Sequence, residues 1–155
     1  MTKFEQLTQE ANDNGLEVLE MAFRSNRIKG LYCNSTIAIN DKLKDSRKKA
    51  CILAEEIAHH DLTVGNILDL SDTQNRKQEM LARLKAYNHM VGLTGLIRSY
   101  EYGCRNLYEM AEFLEITESF LSNALEAYRL KYGKGIALDN YYISFEPYLS
   151  IVKMI

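Results

Sequence analysis

Four polar residues interrupt an otherwise apolar stretch of the chain: Glu55, Glu56, His59 and His60. In a helix, Glu55 and His59 lie four residues apart on one face, and Glu56 and His60 form a second pair turned by about 100°. Either pair could reach a metal ion. A Glu-x-x-x-His pair is also common on solvated helix faces, so the spacing alone leaves a metal site and a plain surface pair both open.

The same spacing resembles the His-Glu-x-x-His pattern, in which residues i and i+4 bind zinc and a carboxylate at i+1 is the general base. In this register Glu55 takes the first ligand position, Glu56 the position of the base and His59 the second ligand position. A shift by one residue would place Ile57 at the base position, which an apolar side chain cannot serve. The register that begins at Glu55 is therefore preferred.

A catalytic zinc ion usually takes three protein ligands, so a third must come from another element. Glu79 is the candidate, because the small Ala82 and Ala86 would let its helix approach the first helix closely. Asp69 and Asp72 are the alternatives.

Three further residues near these positions have more than one interpretation. His60 is interpreted first as a group that orients a ligand, and otherwise as a fourth ligand or a cation at a helix C-terminus. His89 is expected to be solvated near the end of its helix. Cys51 is assigned to the core, since a buried cysteine behaves mostly as a small hydrophobic residue.

The composition describes an ordinary folded protein. The chain has 155 residues, of which 46% are hydrophobic and 26% charged, which fits one domain or a domain with a small helical appendage. With 19 basic and 21 acidic residues the net charge is -2, so no overall attraction to nucleic acid or anionic membranes is expected. The chain has no long apolar run or signal-peptide pattern, which predicts a cytoplasmic protein.

The first part of the chain is predicted to combine helices with a small sheet. An amphipathic helix is expected from Thr2 to Asn12, and two extended runs around a turn-prone Asn-Ser pair, 30–33 and 36–40, predict a hairpin. The segment 16–23 fits either a strand or a helix. A largely buried helix that carries the polar residues is expected from about Asp45 to Asp61.

The second part is predicted to be helical with a short hairpin at its end. A capping box at Ser71 opens a helix that continues to Gly92, and a further helix follows over 93–102. Two more helices with helix-turn-helix spacing are expected between residues 106 and 133, and then a hairpin over 136–145. The predicted class is α+β, with one domain over 1–92 and a helical region over 93–155 packed with it as one unit.

Several stretches of the chain together resemble the ImmA/IrrE family of metallo-endopeptidases, in the form found in prophages of Gram-positive bacteria. The similar stretches are 30–60, 63–69, 75–79, 105–114 and 142–147. The resemblance spans nearly the whole chain. It implies a zincin-like domain, joined to a helix-turn-helix-like region, that promotes removal of the repressor of a phage or mobile element.

Carried over by position, the resemblance implies zinc as the cofactor, with Glu55, His59 and Glu79 as its ligands and Glu56 as the base. Glu55 is a departure, because the family has a histidine there, and a second glutamate ligand lowers the Lewis acidity of the metal. Zinc-dependent cleavage of a phage-type repressor is thus the leading hypothesis. The alternative is a weak or inactive zincin-like antirepressor that binds the repressor stoichiometrically.

The second helix of the helix-turn-helix-like region is poorly suited to DNA. It has no lysine or arginine before Arg129, and Glu115 and Glu118 would face phosphates with the wrong charge. A protein-binding or structural role is therefore favoured, with a repressor protein as the partner and no direct contact with nucleic acid or membrane. The aromatic residues available as docking anchors are Tyr108, Phe113, Phe120 and Tyr128.

Overall fold

The computed structural model describes residues 1–25, 27–64 and 72–155. It is a mostly helical α+β structure, which confirms the predicted class. The chain divides into two compact units, Met1–Ala86 and Tyr87–Ile155. The sequence placed this boundary between residues 92 and 93, and the packing of the two regions as one unit stays a prediction.

The first unit contains a three-stranded sheet and long helices. Its elements are α1 (Lys3–Asp13), β1 (Glu17–Met21), β2 (Gly30–Cys33), β3 (Thr36–Asn40), α2 (Ser46–Val64) and α3 (Asp72–Met90), whose last turn extends into the second unit. The predicted capping box at Ser71 lies outside the described residues. Helix α1 instead shows a complete capping box of its own, because the Thr2 side chain accepts from the Glu5 backbone N–H and the Glu5 carboxylate accepts from that of Thr2.

The sheet has the strand order β1-β3-β2. Strands β2 and β3 form the predicted hairpin, with Asn34 and Ser35 both at positive φ (49° and 62°), as a two-residue turn between twisted strands requires. Strand β1 pairs parallel to β3. The ambiguous segment 16–23 is therefore a strand, because it pairs with the edge of β3 that β2 leaves open.

Helix α2 lies against this sheet and also packs on α1. Its apolar side is buried as expected, with Leu53 fully inaccessible and Ala54 and Ala58 nearly so. The helix runs to Val64 rather than to about Asp61, because neither glycine nor proline interrupts it before residue 65. Ala82 and Ala86 on α3 are buried too.

The second unit combines a helical region with an antiparallel sheet. Its elements are α4 (Gly92–Tyr102), α5 (Leu107–Leu114), α6 (Glu118–Tyr132), β4 (Gly135–Leu138), β5 (Tyr141–Ser144) and β6 (Ser150–Lys153). The predicted hairpin is present as β4 and β5, with Asp139 at positive φ in its turn. Strand β6, which the sequence patterns do not predict, pairs with the free edge of β5.

Side-chain caps fix the start of both helices in the helix-turn-helix-like pair. The Asn106 side chain accepts from the backbone N–H of Glu109 at 2.8 Å, and the Thr117 hydroxyl accepts from that of Phe120 at 3.1 Å. Behind these caps, fully buried side chains form the core of the unit. They include Leu96, Ile116, Leu121, Tyr128 and Ile143.

Replacing Asn106 with alanine is expected to lower the free energy of unfolding by about 1 kcal/mol, because the N-terminal N–H of α5 loses its acceptor. Urea denaturation followed by circular dichroism measures the loss. Ser119→Ala, at an exposed position within α6, is the control and should change stability by less than about 0.5 kcal/mol. Equal stability of the Asn106 variant and the wild type would show that the cap contributes nothing.

The three cysteines lie in different environments. Cys33 is exposed in β2, Cys51 is buried in α2 as predicted, and Cys104 is half-buried after α4. The Cys104 thiol donates to the backbone carbonyl of Glu109, and burial, followed by the charge of the Glu109 carboxylate, raises its pKa. Among the described residues, no helix is long and apolar enough to span a bilayer.

Candidate functional site

Helix α2 presents the predicted site residues along the part of its surface that is not fully buried. Glu55, Glu56, His59 and His60 are all half-buried. Buried Ala54 and Ala58 alternate with them and hold this side of the helix against the core. The helical spacing therefore places all four side chains at the edge of the core, where their charged groups are only partly exposed to water.

His59 and Glu79 meet across α2 and α3. The Nε2 atom of His59 lies 3.5 Å from the Oε2 atom of Glu79. The Glu79 side chain is about half exposed, whereas that of His59 is 28% exposed. The structure thus brings together two of the three residues predicted as zinc ligands, although they come from different helices.

The carboxyl of Glu55 is more buried than that of Glu79, and it has several charged neighbours. Burial raises its pKa, while the positive charges of Arg83, His59 and Lys29 act in the opposite direction and the carboxylate of Glu79 adds to the rise. Arg83 has the largest of these charge effects. The predicted first ligand therefore lies in the field of a permanent cation from α3.

Glu56, the predicted base, lies under strand β2. Burial raises the pKa of its carboxyl; the charge of His59 lowers it, and those of Glu55 and Glu79 raise it further. A Cβ atom at Gly30 would lie 3.3 Å from the Cγ atom of Glu56 and 2.7 Å from Cγ2 of Ile52. The strand can approach Glu56 this closely because residue 30 has no side chain.

His60 is held by Tyr32 from β2. Its Nδ1 atom lies 2.8 Å from the Tyr32 hydroxyl, and the two rings meet edge to face with centroids 5.2 Å apart. Tyr32 shares a face of β2 with Gly30, the face that approaches α2. This contact fixes the ring of His60, which suits a group that orients its neighbours, although the role predicted for His60 stays a prediction.

The arrangement of these side chains decides whether the cluster fits zinc. Among the residues whose side chains the structure describes, no group of three or more His, Cys, Asp and Glu side chains is arranged to hold a metal ion. His59 and Glu79 approach each other, but the positive charge of Arg83 acts on Glu55 and opposes a divalent cation there. As arranged, the donor set does not fit a three-ligand zinc site. The predicted ligand and base roles stay predictions.

The two alternative third ligands give no further information. Asp69 lies outside the described residues, and so does the side chain of Asp72. Sequence reasoning missed Tyr32, Lys29 and Arg83. Of these, Arg83 had a usable signal, because it follows Glu79 by four residues on a predicted helix and therefore lies on the same face.

The exposed surface of α6 is polar over its first turns, and Leu130 and Lys131 are exposed near its C-terminal end. Glu118, Ser119, Ser122 and Asn123 are exposed, and Arg129 is engaged by the carboxylates of Glu126 and Glu146 at 2.6 and 3.1 Å. Burial also removes two of the four predicted docking anchors, since Phe120 and Tyr128 belong to the core. Tyr108, by contrast, is 58% exposed.

Comparison with known proteins identifies the family. The peptidase M78 family model, described as the IrrE N-terminal-like domain, matches residues 11–126, which is well over half of the chain and includes both helices of the site. No curated protein and no solved structure matches significantly. Members of this family have a zincin-like domain that usually depends on zinc. The chain belongs to the ImmA/IrrE family.

Proposed function

We propose that this chain inactivates the repressor of a prophage or mobile element by binding it in the cytoplasm, without cleaving it. Membership of the ImmA/IrrE family supports a repressor as the target. The observation that carries the choice of binding over cleavage is Glu55, a half-buried carboxyl at the first ligand position, where the family has a histidine. The zincin-like scaffold then serves as a binding surface.

The charge around Glu55 is the physical reason for this choice. The positive charge of Arg83 acts on the Glu55 carboxyl and would oppose a divalent ion bound there. A glutamate in place of histidine also lowers the Lewis acidity of any ion held there. Both effects weaken a hydrolytic site and leave a protein-binding surface intact.

The surface of α6 supports a protein as the partner rather than DNA. Binding to duplex DNA requires lysine and arginine side chains that neutralise phosphates. The exposed side chains of α6 include the acidic Glu118 and Glu126, neutral residues and a single lysine, Lys131, and Arg129 is already paired with two carboxylates. A repressor protein is therefore a better match to this surface than its operator DNA.

Hydrolysis of the repressor is the second candidate function. It is favoured by the contact between His59 and Glu79, two predicted ligands, beside Glu56 in the position of the base. In that case Glu56 would accept a proton from the attacking water. Substitution of Glu56 therefore separates the two functions.

The deciding experiment mixes the purified full-length chain with the phage-type repressor encoded beside it and labelled operator DNA. We expect the wild type and Glu56→Gln to release the repressor from DNA equally, at near one-to-one stoichiometry. Fluorescence anisotropy measures release, and intact-mass spectrometry should find the repressor uncleaved. Glu112→Gln, at an exposed position on α5, is the control for loss of a carboxylate.

Two results would contradict the proposal. Cleavage of the repressor by the wild type, lost in Glu56→Gln, would assign hydrolysis to this site. No release and no cleavage by the wild type would remove the repressor as the target.

A further inference from the structure

A groove of about 570 Å³ lies in the second unit between α5, α6 and the chain from Phe145 to Ile151. Most of its lining is apolar. Met110 and Phe145 are buried at its base, and four half-buried side chains surround them: Leu107, Leu125, Leu149 and Ile151. Covering half-exposed apolar surface lowers the free energy of a complex. The groove is therefore a place where a partner can bury apolar side chains.

Helix α6 contributes one continuous side of this groove. Its lining residues are spaced as a single helical stripe, Ser122, Leu125, Glu126 and Arg129. Seven residues of helix extend about 10 Å, which is close to two turns. Peptides that dock as helices place their anchors over this same interval, at positions i, i+3, i+4 and i+7. The length of the stripe thus suits a segment of a polypeptide.

The rim of the groove is open and aromatic. Tyr100 and Tyr148 both line it, and they are 42% and 73% exposed. A small molecule is usually held in a concave site that covers most of its surface, which an open rim does not provide. Exposed tyrosines, with an apolar ring and a polar tip, are instead enriched where proteins meet. The rim therefore favours a protein segment over a small molecule.

Two arginines line the groove, and they differ in how far they are engaged. Arg129 is held by Glu126 at 2.6 Å and by Glu146 at 3.1 Å, which neutralises its charge. The Arg105 side chain is 86% exposed, and its contact with Glu109 is through the Nε atom at 3.5 Å. A guanidinium has five N–H donors, so Arg105 can accept a further carboxylate. The complementary partner carries an acidic side chain beside its apolar ones.

We propose that the repressor docks in this groove through an apolar segment that carries an acidic side chain. The apolar residues of the segment cover Leu125 and the ring of Tyr148, and its carboxylate pairs with Arg105. This inference deepens the proposed function, on which it rests for the identity of the partner. It adds the surface of the chain that holds the repressor and the chemistry of the segment that is held.

The test is isothermal calorimetry of the full-length chain with the phage-type repressor encoded beside it. We expect Tyr148→Ser to raise the Kd at least about tenfold and Arg105→Glu at least about fivefold. Both side chains are exposed, so both variants should fold, which circular dichroism checks. The matched controls are Tyr102→Ser, at a residue 74% exposed, and Arg98→Glu, at an exposed position on α4. Both controls should bind like the wild type.

Hydrogen exchange locates the contact independently of the substitutions. When the repressor is bound, the backbone over 104–110, 122–129 and 145–151 should exchange more slowly. Slower exchange confined to residues 1–86, with both groove variants binding like the wild type, would overturn this docking site and leave the repressor as the target. A wild type that does not bind the repressor at all would overturn the proposed function as well.

Two other occupants of the groove are decided by the same samples. The apolar anionic dye ANS should bind the wild type and be displaced as the repressor is added, and the free chain should be a monomer in size-exclusion chromatography. Dye that Tyr148→Ser loses but the repressor does not displace would assign the groove to a small molecule. A wild-type dimer that Tyr148→Ser dissociates would assign it to a second copy of the chain. Either result would overturn the proposal.

Discussion

Replacing Tyr128 with phenylalanine is expected to lower the free energy of unfolding of the second unit by about 1–2 kcal/mol at neutral pH. Tyr128 is fully buried, and its hydroxyl accepts from the backbone N–H of Gly92 at 3.1 Å. Its ring also lies near those of Tyr132 and Phe145, contacts that phenylalanine retains. The substitution therefore removes the acceptor of Gly92 and little else.

The same residue makes stability depend on alkaline pH. Burial raises the pKa of Tyr128 from 10.0 to about 12. Because the pKa is higher in the folded state, the stabilising effect of the neutral phenol is complete below pH 10. It is lost between pH 10 and pH 12, by up to about 2.7 kcal/mol. The phenylalanine variant lacks this titration, so its deficit relative to the wild type should shrink as the pH rises.

Urea denaturation at pH 7, 9 and 11 measures both effects, with hydrogen exchange to assign the loss to the second unit. Tyr102→Phe is the matched control, since Tyr102 is 74% exposed. Its stability should follow that of the wild type at every pH. A constant difference between the wild type and Tyr128→Phe from pH 7 to pH 11 would contradict the assigned burial of the phenol.

Gly30→Ala is expected to lower the free energy of unfolding of the first unit by about 1–3 kcal/mol, the usual cost of overpacking. The added Cβ would lie 2.7 Å from Cγ2 of Ile52, which is closer than real Cβ contacts allow. Ile52 is β-branched and cannot turn away easily, so β2 must move off α2. Glu56, whose Cγ would lie 3.3 Å away, would be displaced as well.

Gly95→Ala is the matched control, and we expect it to raise the free energy of unfolding rather than lower it. Gly95 lies inside α4, and its added Cβ would meet Cδ2 of Leu114 at 3.5 Å, an ordinary contact. Alanine in a helix interior should raise stability by about 0.5–1 kcal/mol. Thermal and urea unfolding of both variants measure the difference. Equal effects of the two substitutions would mean that β2 does not lie as close to α2 as the structure shows.

Much of the fold could be predicted because the chain signals it locally. The hairpin of β2 and β3 is encoded by its turn residues, and the caps at Asn106 and Thr117 mark two helix starts. Strand β1 was ambiguous because its sequence fits two periods, and only pairing with β3 decides between them. Strand β6 depends likewise on the edge of β5.

The candidate site also contains some residues that local patterns predict and others that they do not. Glu55, Glu56 and His59 share one helix, so their spacing alone predicts that they lie together. Glu79 was predicted from the small Ala82 and Ala86, which allow close approach of its helix, and the resemblance to a family implies the same residue. The spacing of four residues places Arg83 on the face of Glu79, but Tyr32 could not be assigned from spacing, because its importance depends on a contact made across elements.

The different environments of the three thiols give the protein a natural site for a single spectroscopic label. Cys33 is exposed on β2, next to the tyrosine that holds His60. Cys51 is buried, and the raised pKa of Cys104 keeps little of it in the reactive thiolate form. A maleimide dye should therefore attach first at Cys33, where its fluorescence would report a partner at the exposed face of β2, opposite the face that approaches α2, without any engineered cysteine.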